Sequence, residues 1–376
     1  MKFKFYEFFA GGGMARLGLG ENWQCVFAND FDETKATAYR EHFSSSEELH
    51  VSDIANILPL DLPGQVDLAW ASFPCQDLSL AGMGRGLKGE RSGTFWDFWK
   101  LMRGLGKSRR APRMVVLENV YGAITSHKGK DFAIICEALA EEGFTYAPMV
   151  IDAEYFLPQS RPRLFIVAFN HETRPPGNFI MDRPGSPWHP DAFSLAYDRL
   201  STEGRGKWLW VHLPMPVRRK LKLSDIVEEY PKDVAWHTGA ETARLLAMMT
   251  PINKCKVKST SKMARRVVGA IYRRTRLGQQ RAEVRFDDIA GCLRTPAGGS
   301  SRQIILFVEG RRIRSRLLSA REAARLMGIP ENYQLPRRYN DAYRLAGDGV
   351  AVPVVSWLAK CLIEPSLAGK VSEEAA

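Results

Sequence analysis

Between residues 1 and 170 the chain repeats one rhythm: apolar runs of strand length alternate with stretches whose apolar residues recur at helical spacing. Phe3 to Phe9, Cys25 to Asn29, Val66 to Phe73, Met114 to Leu117 and Arg163 to Phe169 read as strands. Thr34 to His42, Phe95 to Leu105 and Phe132 to Glu142 read as helices, and another starts at Ala15. Strands buried on both faces read as continuous apolar runs, and successive strand–helix units build a parallel sheet with helices on both sides. The expected fold is therefore α/β, a Rossmann-like, doubly wound, mostly parallel sheet. Ligands of such sheets bind beyond the carboxyl ends of the strands, so the residues that end each run carry the chemistry.

Those run ends are specific. Phe9-Ala10-Gly11-Gly12-Gly13-Met14 follows the first strand and precedes a helix. Glycines there permit a tight turn and close backbone approach to a ligand, or only a structural turn. The second run ends in Asn29-Asp30-Phe31 and is followed by Ser52-Asp53-Ile54. An acid at the end of the second strand commonly accepts hydrogen bonds from ribose hydroxyls, and Phe31 offers a stacking face. Asp30 could equally cap the helix that begins near Asp32. The run through Phe73 stops at Pro74, and Cys75-Gln76 follows at once. Met114 to Leu117 leads into Glu118-Asn119-Val120, and Gln159-Ser160-Arg161-Pro162-Arg163 leads into the last strand. In extended chain Gln159, Arg161 and Arg163 share one face, although Pro162 restricts that segment to a sheet edge or an irregular start.

A thiol, a carboxyl, two arginines and a glycine turn, in this order, resemble the cytosine-C5 DNA methyltransferases. The resemblance implies a class I methyltransferase sheet with a smaller, mixed target-recognition domain. It implies S-adenosyl-L-methionine as methyl donor, S-adenosyl-L-homocysteine as product, and no metal. Phe9, Ala10, Gly11, Gly12 and Gly13 fit the family's first motif, although Met14 stands where many members have another glycine. Asp30 and Phe31 match its ribose and adenine positions, and Asp53 and Ile54 its adenine-contacting acid and neighbour. Pro74, Asp348 and Val350 complete the implied cofactor set, with Asp348 where asparagine is commoner.

The chemistry fits those residue types. Cytosine C5 is a poor nucleophile until a thiolate adds to C6, and a thiol can both attack and leave. A carboxyl can neutralise N3, and a cation can stabilise charge near O2. Cys75, Glu118 and Arg163 supply one of each, with Arg161 and Gln159 in support. Gln76, Ser79 and Asn119 are the implied substrate contacts. Gly82, Gly84, Gly86, Gly89 and Gly93, interleaved with Arg85, Lys88 and Arg91, read as a basic lid joined to the nucleophile. C5 and C6 are hidden in a duplex, so the target base must be flipped or single-stranded.

Charge divides the remainder. The net charge is +11, yet Arg199 to Arg285 alone holds 20 Lys/Arg against 7 Asp/Glu, leaving the rest of the chain slightly acidic. Trp208, Trp210, Trp236 and Tyr272 are interleaved with that charge, the pattern of a nucleic-acid surface. Prolines 175, 176, 184, 187 and 190 break the strand–helix rhythm. The expected division is a catalytic and cofactor domain over 1–170 and a basic target-recognition module over 171–290. The recognition domain and hinge finish over 291–340, and 341–376 returns to the catalytic domain. Ser319-Ala320-Arg321-Glu322 reads as a capping box opening a helix over 320–328.

The six cysteines form no C-x-x-C pair, which argues against a zinc site or a disulfide framework. The opening residues Met-Lys-Phe-Lys-Phe-Tyr-Glu do not read as a secretory h-region, and no apolar run is expected to approach membrane-spanning length. The expected setting is cytoplasmic, nucleoid-associated in a bacterium. The expected partner is double-stranded DNA, engaged by a monomer and not by a membrane protein, with a cognate restriction endonuclease acting separately. Alternatives are a tRNA cytosine-C5 methyltransferase, since relatives with nearly these motifs act on RNA, and a catalytically silent DNA-binding protein on the same scaffold. A Rossmann oxidoreductase leaves Phe-Pro-Cys-Gln unexplained.

Overall fold

The structure is a computed structural model that describes residues 2–44, 46–74, 93–185, 187–276, 278–294 and 302–369. The chain divides into two compact units. The first holds residues 1–151, 162–216 and 354 onward, and the second holds 152–161 and 217–353.

The first unit is built on a seven-stranded sheet. Its strands are β1 (Phe3–Phe8), β2 (Trp23–Asp30), β3 (Leu49–Val51), β4 (Leu68–Ala71), β5 (Met114–Val120), β6 (Thr145–Asp152) and β7 (Pro162–Phe169), in spatial order β3-β2-β1-β4-β5-β7-β6. β1, β2, β3, β4 and β5 pair in parallel, whereas β7 runs antiparallel to β5. All four residues of Leu68-Ala69-Trp70-Ala71 are buried, as both-face coverage by helices requires. The helix Thr94–Lys107 buries Phe95, Phe98, Trp99, Leu101, Met102 and Leu105, and the helix Lys130–Glu141 buries Phe132, Ile135, Cys136 and Leu139. Each large side chain so buried contributes roughly 2 kcal/mol.

Two readings of the chain needed correction here. The strand Thr145–Asp152 was not anticipated, and its presence puts β7 between β5 and β6, so of the two places expected for Pro162 the structure takes the strand start and not the sheet edge. Pro162 is tolerated because it is the first residue of its strand, where a missing N–H costs no ladder bond. The second concerns the tryptophans. Trp208 and Trp210 are buried beside Phe132, Tyr146, Phe193 and Tyr197, with their own rings 4.8 Å apart. They fill a core under the short ribbon β8 (Ile180–Met181) and β9 (Trp210–Val211), so they are not bases' stacking partners.

The second unit is mixed. A four-stranded antiparallel sheet joins β10 (Val267–Arg276), β11 (Gln279–Arg285), β12 (Ile304–Glu309) and β13 (Arg312–Leu317) in the order β11-β10-β12-β13. One face packs Ile271, Ala282, Val284, Leu306 and Val308 against Leu245 and Val257 of the helices Gly239–Ala247 and Pro251–Thr260. The helix Ala320–Leu326 opens as expected: Ser319 Oγ accepts from Glu322 N–H at 3.1 Å and Glu322 Oε2 accepts from Ser319 N–H at 2.7 Å. Glu322 also holds Arg316 at 2.6 Å, with both side chains fully buried.

The C-terminal helical stretch Tyr339–Ala368 is, by length and composition, apolar enough to cross a membrane, contrary to the expectation that no run is. It is interrupted at residues 349–351, and from Val354 it belongs to the first unit. There Ser356 Oγ donates to Gly18 O at 2.8 Å, Trp357 packs 5.0 Å from Trp188, and Glu364 accepts from Trp23 Nε1 at 2.9 Å. It is a core helix of the sheet's helical layer.

Candidate active site

At the carboxyl edge of the first unit the chain turns sharply after β1. Phe9 adopts φ 56°, a left-handed conformation that a bulky residue takes only when its surroundings enforce it. Ala10 N–H donates to Asn29 O at 2.9 Å, and Gly13 N–H donates to Ala10 O at 2.8 Å. Gly13 has φ 77°, and a Cβ there would lie 2.5 Å from the Phe43 ring. Only glycine fits that position.

Asp30 Oδ2 accepts from Gly11 N–H at 2.8 Å, and Oδ1 accepts from Asp32 N–H at 2.9 Å. Asp30 therefore tethers the glycine turn and does not cap the next helix. Asp32 is the cap, accepting from Thr34 and Lys35 N–H. A carboxylate oxygen can accept more than one hydrogen bond, so the tether leaves Asp30 with acceptor capacity to spare. Phe31 beside it is 67 % exposed. Asp53 accepts from Ala55 N–H at 2.9 Å and so aims the short turn that carries buried Ile54. Ile54 lines a cavity of about 350 Å³ together with Leu58, Trp96 and Trp99.

One acid in this region was missed. Glu7 lies within β1, 1 % exposed, where its Oε1 accepts from Arg16 N–H at 3.3 Å. Burial pushes its carboxyl up to about 8. The signal was present in the sequence as a lone acid inside an apolar run, a place where an unpaired charge is rarely kept.

Cys75, Gln76, Ser79 and most of the glycine-rich lid lie outside the described residues. The chain leading to them is described. Pro74 is half-buried, and Phe73 O accepts from Asn119 Nδ2 at 3.4 Å. Asn119 is thus occupied in joining the end of β4 to the end of β5, while its Oδ1 accepts from Val120 N–H at 2.8 Å.

Glu118, the residue before it, is 7 % exposed, and its Oε1 lies 3.3 Å from Arg163 Nε. The pair exists because β7 is antiparallel. Val120 at the end of β5 sits opposite Arg163 at the start of β7, so an arginine 45 positions later reaches the same sheet edge. A buried carboxylate with a guanidinium at this distance is a polar centre in a largely apolar surround.

Gln159 and Arg161 do not share that setting. Both belong to the second unit and both are buried. Gln159 Nε2 donates to Leu326 O at 2.6 Å and Oε1 accepts from Leu293 N–H at 3.2 Å. Arg161 donates to Gly347 O and Gly349 O, each at 2.8 Å, and to Leu293 O at 3.3 Å. Arg161 thus braces the main chain around Asp348 and Val350, and Gln159 ties the main chain at Leu326 to that at Leu293. Asp348 lies 3.5 Å from Arg344 Nε, and Val350 is buried. Among the described residues no group of three or more metal-ligating side chains occurs.

A model of the C-5 cytosine-specific DNA methylases matches residues 3–364. The chain belongs to this family. Among similar proteins, the type II methyltransferase M.BsuFI of Bacillus subtilis is 27 % identical over 97 % of this chain and 73 % of its own. M.HpaII of Haemophilus parainfluenzae is 26 % identical over 96 % of this chain and 90 % of its own. Among solved structures, the Dnmt2 methyltransferase of S. pombe superimposes with a TM-score of 0.59 at 17 % identity, over 97 % of this chain and 99 % of its own. The Entamoeba histolytica methyltransferase EhMeth gives 0.63 at 14 % identity, over 96 % and 97 %. The two structural likenesses bear on the fold alone. This methyltransferase is a DNA (cytosine-5)-methyltransferase on a class I α/β sheet, in a family that uses S-adenosyl-L-methionine.

Proposed function

We propose that this enzyme methylates C5 of a cytosine flipped from a specific duplex sequence, through a covalent bond between Cys75 and C6. The Glu118–Arg163 pair, 3.3 Å apart and buried beside the end of β4, carries the reading. The Cys75 thiolate adds to C6, the Glu118 carboxyl engages N3, and Arg163 stabilises charge on the pyrimidine carbonyl. C5 then takes the methyl group, the C5 proton leaves, and the thiolate is expelled. Gln159 and Arg161 act as positioning residues through the main chain they brace. Gln76 and Ser79 contact the target nucleotide.

The donor supplies an activated methyl group on a sulfonium. Phe9, the glycine turn, Asp30, Phe31, Asp53, Ile54 and Pro74 of the first unit would hold it. The fit is supported by the acid tethering the glycine turn and by an exposed ring, both at the end of β2. The sequence choice resides in the second unit, chiefly within 217–290, and the enzyme works as a cytoplasmic monomer. A cognate restriction endonuclease acts separately on the same site.

The experiment is mechanism-based trapping. Duplex DNA with 5-fluorocytosine at the target cannot lose a C5 proton, so the wild-type enzyme should be held as a covalent complex. Cys75→Ala should form none, and Glu118→Gln should lose most transfer while retaining donor affinity. A trapped complex that persists in Cys75→Ala overturns the assignment.

A further inference from the structure

The hairpin formed by β10 and β11 has two unlike faces. Ile271, Ala282 and Val284 point into the helix-covered core. The opposite face carries the cross-strand pairs Tyr272–Glu283 and Arg274–Arg281, and the Arg276–Gln279 pair closes the loop. Beyond the core the ribbon is exposed at Arg274, Thr275, Gln279 and Gln280.

Arg274 and Arg281 are directly opposed like charges, an arrangement that weakens a ribbon unless something anionic joins it. Among the described residues neither is paired with a carboxylate. Three arginines of the unit are neutralised: Arg266 by Glu229 at 2.8 Å, Arg285 by Asp287 at 2.6 Å and Arg316 by Glu322 at 2.6 Å. The Arg274 and Arg281 guanidiniums are nevertheless held in place. Arg274 lies 4.6 Å over the Tyr272 ring, and Arg281 donates to Gln279 Oε1 at 2.9 Å. Glu283, the acid of this hairpin face among the described residues, stands opposite Tyr272 in the register.

A two-stranded ribbon fits the major groove of B-DNA, and arginine pairs its planar fork with guanine O6 and N7. Directly opposed Cβ atoms stand about 5 Å apart, close enough for both forks to serve neighbouring base pairs. The deep, narrow major groove of duplex RNA excludes such a ribbon. We propose that Arg274 and Arg281 are specificity-determining residues, entering the major groove on the β10–β11 hairpin and each engaging a guanine edge of the recognition sequence. The inference rests on the reading of the second unit as the part that chooses sequence. The competing role for these charges is to guard β11, an edge strand, against pairing with other chains.

The test uses the full chain. Wild type, Arg274→Ala, Arg281→Ala and the matching Arg→Lys variants are expressed in a host without cytosine methylation, and bisulfite sequencing scores each methylated cytosine with its flanks. The purified proteins are titrated on the wild-type duplex at several salt concentrations. Each alanine variant should still methylate, but its preference at one fixed G·C position should fall tenfold or more. Lysine keeps the charge without the planar fork, so it should restore the salt dependence and leave the preference weakened. Alanine variants that keep the wild-type consensus overturn the proposal, whether binding is uniformly weaker, as for phosphate contacts, or unchanged, as for an edge guard. If an alanine variant fails to fold, the lysine variants decide by the same criterion. A wild type that methylates RNA and no DNA sinks the reading beneath the proposal instead.

Discussion

Glu7→Gln probes the floor of the glycine turn, and its effect should depend on pH with a definite sign. Burial raises the Glu7 carboxyl from 4.5 to about 8, opposed by the Arg16 amide and charge and reinforced by the Asp30 charge. In the unfolded chain the group ionises near 4.5, so between that pH and 8 the native state holds a proton that the unfolded state has lost. Its contribution to stability is full below 4.5 and is lost as pH rises through 8. Linkage puts that contribution at about 3 kcal/mol at pH 6 and almost none at pH 9. Glutamine mimics the protonated form, keeping an oxygen to accept from Arg16 N–H, and does not titrate. Its own amide adds a constant offset that cancels on comparison across pH. The stability of Glu7→Gln relative to wild type should therefore improve by about 3 kcal/mol from pH 6 to pH 9. Urea denaturation at pH 6, 7, 8 and 9 measures this. Parallel pH curves would show that Glu7 is already ionised in the native state at pH 6. A variant that loses ground as pH rises would show that the anion is required.

Three further outcomes follow from the geometry. Asp30→Ala removes the acceptor of Gly11 and Asp32 N–H, and should weaken S-adenosyl-L-methionine binding by about 1–3 kcal/mol in calorimetry; unchanged affinity leaves Asp30 as a tether only. Glu322→Gln strands the fully buried Arg316 guanidinium, and should cost about 3–5 kcal/mol in urea denaturation, with a loss under about 1 kcal/mol refuting the pairing. Gly13→Ala meets both a φ of 77° and the Phe43 and Tyr39 rings, so it should lose more than about 1 kcal/mol of stability along with donor binding, and wild-type melting would contradict the steric argument.

The parallel core was legible because its strands are buried on both faces and so appear as continuous apolar runs. Leu68–Ala71 and Met114–Leu117 announce themselves in this way, and the chemistry-bearing residues stand where those runs stop. The strand Thr145–Asp152 was less visible, since Thr145 and Pro148 interrupt its apolar pattern. The helices Gly239–Ala247 and Pro251–Thr260 were hidden for another reason. Each buries only two residues, Thr242 and Leu245 in the first and Val257 and Thr260 in the second, so little in their composition marks a core-facing side.

By itself the sequence determined the class of sheet, the order of the site residues along the chain, the capping box at Ser319 and the family. Each of these depends on local pattern or on short motifs. Only the tertiary structure decided partners. It joined Glu118 to Arg163 through an antiparallel strand, sent Gln159 and Arg161 to brace the main chain of the second unit, and made Asp30 a tether with Asp32 as the cap. It also sorted the basic segment, burying Trp208 and Trp210 while exposing Arg274 on a hairpin face. Those outcomes depend on strand direction, register and burial, which arise from contacts between residues far apart in the chain and leave no local mark in the sequence.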